Sequence, residues 1–235
     1  MKYLHYYETA SAFTESYDGE NYLEPWLSYT DETQAVNYNK PDPSNGHCYV
    51  DLGLPSGTLW GCTNIGAENP DELGTDYKWA EIEPYEYSRL YKYEDQSTGQ
   101  YTKYCSTDEK TVLDLEDDIA NVAWGGGWHI PTIEQVYELM DNTTRTVSGK
   151  DENNYDIYVT FTSNINGNEL KFRLEGGCVT WLNECGDGYD YAWVFAYGCE
   201  GSFGPRLAGD TGDRSNNQQV RGVLGDGPER EDLVI

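Results

Sequence analysis

Positive charge is scarce in this chain: 15 lysines and arginines stand against 42 aspartates and glutamates, a formal net charge of −27. No Lys/Arg cluster is present that would release counterions from a phosphate backbone, so nucleic acid and anionic membrane are excluded as expected partners. The excess acid serves solubility. No apolar run approaches the roughly 18 residues a spanning helix needs, so no membrane insertion is expected. The opening MKYLHYYETA lacks the apolar core of a signal peptide, and signal-directed secretion is not expected. The six cysteines at 48, 62, 105, 178, 185 and 199 contain no CxxC pair. Their irregular spacing argues against both a zinc site and a disulfide framework, leaving free thiols made in a reducing compartment as the expectation. His5, His47 and His129 are scattered singly, which supports no histidine metal site. The pairs Asp187-x-x-Asp190 and Asp210-x-x-Asp213 could contribute to calcium binding, but they lack EF-hand spacing, and no calcium site is assigned. No metal and no cofactor is expected.

What is abundant is aromatic: 21 Tyr and 7 Trp among 235 residues, with 37% hydrophobic residues overall. This length supports one sizeable core, or one core and a small module. The turn-rich Lys40-Pro-Asp-Pro-Ser-Asn-Gly46 is read as a linker, dividing a small N-terminal module (1–46) from the main domain (47–225), with an acidic tail at 226–235.

In the main domain, CYVDLGLPSGTLWGC suits two short strands about the Pro55-Ser56-Gly57 turn. Thr132 and Gln135 form a capping box that opens a helix to about Asn142, with Ile133, Val136 and Met140 on its core face. Ile157, Val159 and Phe161 alternate with polar residues, as do Leu170, Phe172 and Leu174, which predicts a β-hairpin across Asn166-Gly167. The acidic run Asp114 to Asp118 is read as a solvated helix start, and His129 as a packed or capping histidine.

From Gly176 onward helical periodicity vanishes, glycine becomes frequent, and Lys171 is the last lysine. Trp181, Trp193, Phe195, Tyr197, Phe203, Val220 and Val223 recur as apolar anchors that predict an ordered segment. Because successive strand residues face opposite sides, Trp193, Phe195 and Tyr197 are assigned to the core, and Val194 and Ala196 to a ligand-facing side.

Three motifs carry a resemblance. YVDLGLPSGTLWG (49–61), LEDDIANVAWGGGWHIPT (115–132) and VRGVL (220–224) look like the bacterial major paralogous domain (FISUMP) family. That family is similar in fold to the formylglycine-generating enzymes and belongs to the wider C-type lectin superfold. The resemblance implies an α+β, C-type-lectin-fold domain of the formylglycine-generating-enzyme-like subtype.

The layout A-W-x-F-x-Y…G-x-F…R-S-x-x-x-x-V-R-G-V from Ala192 to Val223 further resembles the variable region of proteins diversified by retroelements through adenine-directed mutagenesis. Randomising the first two bases of an AAC codon never yields Lys or Met, and both are absent from 177–223. The resemblance implies a non-enzymatic ligand-binding protein whose variable region, 177–223, recognises a protein or glycan on a bacterial or host surface. It would sit on a phage tail or a bacterial cell surface. The expected ligand-facing residues are Leu182, Asp187, Tyr189, Asp190, Val194, Ala196, Cys199, Ser202, Gly204, Pro205, Arg206, Leu207 and Asp210, with Tyr189 and Arg206 as the strongest contacts. Such a set approaches roughly 800 Å² on one partner. Trp181, Trp193, Phe195, Tyr197, Phe203 and Arg221 are the expected scaffold anchors, and the family pattern has Arg214 and Arg221 pairing with carboxylates.

Two alternatives stand beside this. One is a constant structural module of a surface or virion assembly. The other is a cysteine-dependent oxidase using Cys178 and Cys185, which lie seven apart without the enzymes' surrounding motif.

Overall fold

The computed structural model describes residues 46–150, 152, 156–174, 179–198, 203–206 and 212–228, together with two short strands near the start. In chain order these are β1 (Leu4–His5), β2 (Thr14–Glu15), β3 (Tyr49–Asp51), β4 (Leu59–Asn64), β5 (Glu94–Asp95), β6 (Gln100–Tyr101), α1 (Ile119–Trp124) and α2 (Ile133–Asn142). There follow β7 (Thr143–Lys150), β8 (Asp156–Ser163), β9 (Glu169–Arg173), β10 (Val179–Cys185), β11 (Ala192–Ala196), β12 (Gly204–Arg206) and β13 (Arg221–Leu224). Small open antiparallel sheets dominate and helices are few, an α+β or mainly β architecture, with strand orders β1-β2, β5-β6, β3-β4-β13, β7-β8-β9 and β10-β11-β12. Among the described residues no helix is long and apolar enough to cross a membrane. The proposed N-terminal module, apart from β1 and β2, and residues 229–235 lie outside the described residues.

Local chemistry accounts for the elements. Thr132 Oγ1 accepts from the Gln135 amide at 3.1 Å while Gln135 Oε1 accepts from the Thr132 amide at 2.9 Å, the expected capping box. The face it opens buries Ile133, Val136 and Leu139, with Met140 half-buried. From the same helix the buried Glu138 carboxylate accepts from the amide (2.7 Å) and hydroxyl (2.6 Å) of Ser56, and so fixes the turn between β3 and β4. The predicted hairpin is β8–β9, in which Val159 faces Phe172 and Phe161 faces Leu170, all four fully buried. Asp118 caps α1, accepting from Ala120 N at 2.9 Å and Asn121 N at 3.1 Å. The helix start is therefore where the acidic run placed it, but the run is not all solvated: Asp117 and Asp118 are buried, because each carboxylate has enough donors to replace water.

Two apolar clusters share the domain. The first gathers Val50, Leu52, Trp60, Val136, Leu139, Val159, Phe161, Phe172, Phe195, Tyr197 and Val223. The second gathers Ile65, Tyr77, Trp79, Tyr104, Ile119, Val179, Trp181, Val194, Ala196 and Val220. The β10–β11 ribbon separates them, contributing one face to each. Between the clusters Arg221 is fully wrapped: Nε donates to Asn64 Oδ1 (2.8 Å), one Nη to Gly61 O (2.7 Å), and the guanidinium lies 4.2 Å from the Phe172 ring centre. Burial lowers its pKa to about 9, so it stays charged at neutral pH.

The three motifs behind the family resemblance meet physically. The β3–β4 unit pairs with β13, which carries VRGVL. His129 exchanges backbone hydrogen bonds with Val223, at 3.0 and 2.9 Å. Trp124 packs so closely on Gly61 and Gly222 that a Cβ there would fall 3.0 and 2.8 Å from its ring. The strand pair around Pro55 is further joined by a Cys48–Cys62 disulfide, which corrects the expectation of free thiols. Spacing along the chain concealed it; antiparallel pairing brings the two Cα atoms to 5.5 Å.

Candidate ligand-binding surface at the β10–β11 tip

β10 and β11 pair antiparallel, Trp181 opposite Val194 and Cys185 opposite Ala192, with a bulge between Trp181 and Cys185. The strands are joined by residues 186–191. Gly186 N donates to Tyr191 O at 2.9 Å and Tyr189 N to Gly186 O at 2.8 Å, closing a compact loop. Tyr189 sits at φ 63°, a left-handed conformation that a bulky residue adopts only when its surroundings hold it there.

The holding group is Arg214. Its side chain is fully buried, and one Nη donates to Tyr189 O (3.0 Å) and to Tyr104 O (2.8 Å). The other reaches Lys103 O (3.0 Å) and the Tyr91 hydroxyl (3.0 Å), while its guanidinium lies 4.2 Å from the Tyr101 ring centre and 4.9 Å from that of Trp79. Arg214 is thus scaffold, as expected, but it is bound by carbonyl and phenol oxygens rather than the expected carboxylates. Arg221 likewise has neutral oxygen partners, the Asn64 amide and the Gly61 and Lys171 carbonyls.

Around this pillar the tip presents Asp187 and Asp190 exposed, Tyr189 half-buried and Tyr191 38% exposed. Tyr101, on the β5–β6 hairpin, donates its hydroxyl to Asp190 O at 3.5 Å, and Tyr191 bridges to Asp213. Desolvation and then the Asp213 carboxylate push the Tyr101 phenol upward; desolvation, Glu109 and further acids do the same for Tyr189. The field over the tip is negative.

Of the expected ligand-facing residues, then, Asp187, Tyr189 and Asp190 lie together on an accessible surface. Arg206 and Pro205 are half-buried on β12, where Arg206 pairs with Val194. Cys199, Ser202, Leu207 and Asp210 lie outside the described residues.

Leu182, Val194 and Ala196 are corrections: each is 0% exposed. The alternation was real, since Phe195 and Tyr197 face one cluster and Val194 and Ala196 the other. The face assigned to ligand is, however, covered by Ile65, Tyr77, Trp79 and Tyr104, which come from a stretch with no strand or helix period. Gly204 is also buried, with Met140 3.2 Å from where a Cβ would stand. Among the anchors, Trp181, Phe195, Tyr197 and Arg221 are buried. Trp193 is only half-buried, and Phe203 is 38% exposed, lying 6.0 Å from Phe161 between ring centres, so neither is the sealed peg expected.

Sequence reasoning passed over Tyr191, Tyr101 and the aromatic cage of Arg214. Tyr191 had a signal, being an aromatic beside two chosen acids; Tyr101 and the cage, contributed from over a hundred residues upstream, had none.

Two rival sites are weaker. Asp114, Glu116 and Asp117 converge, but Lys103 Nζ already lies among them at 2.7, 3.4 and 2.6 Å. Cys185 is buried and its thiol is pushed up to about 11 by desolvation, the reverse of an activated nucleophile. Cys178 lies outside the described residues.

The arrangement is a buried, hydrogen-bonded base under a small aromatic and acidic tip. No family model, curated protein or solved structure matches the chain.

Proposed function

We propose that this chain is a ligand-binding protein of C-type-lectin type, and that its β10–β11 tip is the recognition surface of a retroelement-diversified variable region. The carrying observation is Tyr189, held in a left-handed conformation by the buried Arg214 while its neighbours Asp187, Asp190 and Tyr191 stay accessible. Rigid presentation of aromatic side chains lowers the entropic cost of binding. The meeting of the three resemblance motifs around β4, β13 and Trp124 supports the fold assignment. Diversification would then be confined to the tip and the other accessible positions, with codon 194 spared. Attachment of a phage tail or bacterial surface to its target protein or glycan is the corresponding role.

The test is retention of labelled protein on a panel of bacterial cells. The triple variant Asp187→Ala/Asp190→Ala/Tyr191→Ala should keep its melting temperature within about 3 °C, since all three residues are exposed, while retention falls at least about tenfold. Unchanged retention would sink the assignment of the tip. For the diversification itself, an imperfect repeat of codons 177–223 differing only at adenines beside a reverse-transcriptase gene is expected; an invariant segment across isolates favours the constant structural module.

A further inference from the structure

Granting that the tip is the recognition surface, we infer that its partner is a basic protein segment whose lysine or arginine side chains cover Asp187 and Asp190 and lie against Tyr189 and Tyr191. The tyrosines and the two carboxylates alternate along one loop, so no partner can cover the aromatic surface without also covering the acids. Neither Asp187 nor Asp190 has a hydrogen bond or ion pair to its carboxylate among the described residues. Removing an unpaired carboxylate from water is costly, so a complex that does so must supply the counter-charge itself.

Arg214, Lys103 and Lys110, described around the tip, are engaged elsewhere. Arg214 is sealed beneath the tip with its donors already used. Lys103 and Lys110 are held by Asp114 at 2.7 Å each. Asp213, Glu109 and Glu94 reinforce the negative field that the Tyr101 and Tyr189 phenols sense.

The rings complete the site. Tyr101, whose hydroxyl reaches Asp190 O, already carries the Arg214 guanidinium 4.2 Å from its ring centre, a local instance of arginine packing on tyrosine. A cation at the tip would meet the exposed Asp187 and Asp190 carboxylates on the same loop as the 38% exposed Tyr191. A neutral glycan could stack on the rings but would leave both acids unpaired, and an anionic ligand would be repelled.

The experiment measures binding of a short peptide of alternating glycine and arginine, with alternating glycine and glutamate as control, by calorimetry at physiological salt. Because the whole chain is acidic, the comparison is between variants of equal charge. Asp187→Asn/Asp190→Asn should weaken binding about tenfold, whereas Asp141→Asn/Glu152→Gln, which removes two exposed acids elsewhere, should change it less than about twofold. Amide resonance shifts on titration should centre on 186–191 and Tyr101. Equal losses in both double variants, or shifts spread over the surface, would overturn the inference as diffuse attraction. If the tip triple variant still abolishes cell retention while the arginine peptide ignores the tip, the partner class is wrong and the recognition surface stands. If the triple variant changes nothing either, both fall together.

Discussion

Val194→Ala separates a core residue from a ligand contact. Val194 is 0% exposed, opposite Trp181 on β10 and Arg206 on β12, with its side chain in the second apolar cluster. Truncation removes two methyl groups from that cluster, a transfer loss of about 1.6 kcal/mol. The residual void, on the order of 40 Å³ where close-packed neighbours cannot collapse, adds about 1 kcal/mol. Destabilisation of about 2.5 kcal/mol should lower the melting temperature by roughly 5–10 °C for a domain of this size. The assay is thermal and urea unfolding followed by far-UV circular dichroism, with an unchanged urea slope to show that the transition remains comparable. A melting temperature within a degree of the parent would mean that this face of β11 is not packed, and that residue 194 is free to serve a ligand after all.

Reducing the Cys48–Cys62 disulfide, or replacing both residues by Ser, opens a loop whose ends are 14 residues apart. It should cost about 3 kcal/mol on the chain-entropy account, read as a lower urea midpoint; an unchanged midpoint, or free thiols at both positions in oxidised protein, contradicts it. Asp117 supplies an acid-sensitive contribution. Burial pushes its carboxyl up, but hydrogen bonds from Lys103, Tyr93, Tyr104 and Lys92 outweigh that and leave it at about 2, below the ordinary 3.8. A carboxyl lowered in the folded state stabilises fully above pH 4 and loses that contribution as pH falls toward 2, about 2 kcal/mol in all. Asp117→Asn should therefore flatten the stability profile between pH 4 and 2, and a parallel profile would refute the assignment.

Elements governed by nearest neighbours were legible in the residues. The Thr132–Gln135 box, the β8–β9 alternation and the Pro55–Gly57 turn each depend on contacts within a few positions, and each formed as read. The period-2 pattern of 192–197 was equally legible, but a period says only that two faces differ. It does not say that one of them meets water. What settled the matter was the aperiodic stretch from Ile65 to Tyr104, whose Trp79 and Tyr104 rings pack 5.1 Å apart under the sheet. Burial of that kind depends on tertiary approach, as does the Cys48–Cys62 pairing. At the tip, Asp187, Tyr189 and Asp190, nominated by the variable-region layout, fall on one loop with both acids exposed. The caging of Arg214 was not legible, since its partners arrive from distant loops.

β13 lies at one edge of a sheet whose middle strand, β4, is drawn from the start of the domain. During synthesis one side of β4 must wait, unpaired, for almost the whole domain to emerge before residues 221–224 can dock. Any substitution in the intervening tip passes through that open-edged interval. Selection on such a segment would therefore act on escape from aggregation in the nascent chain as much as on the finished fold.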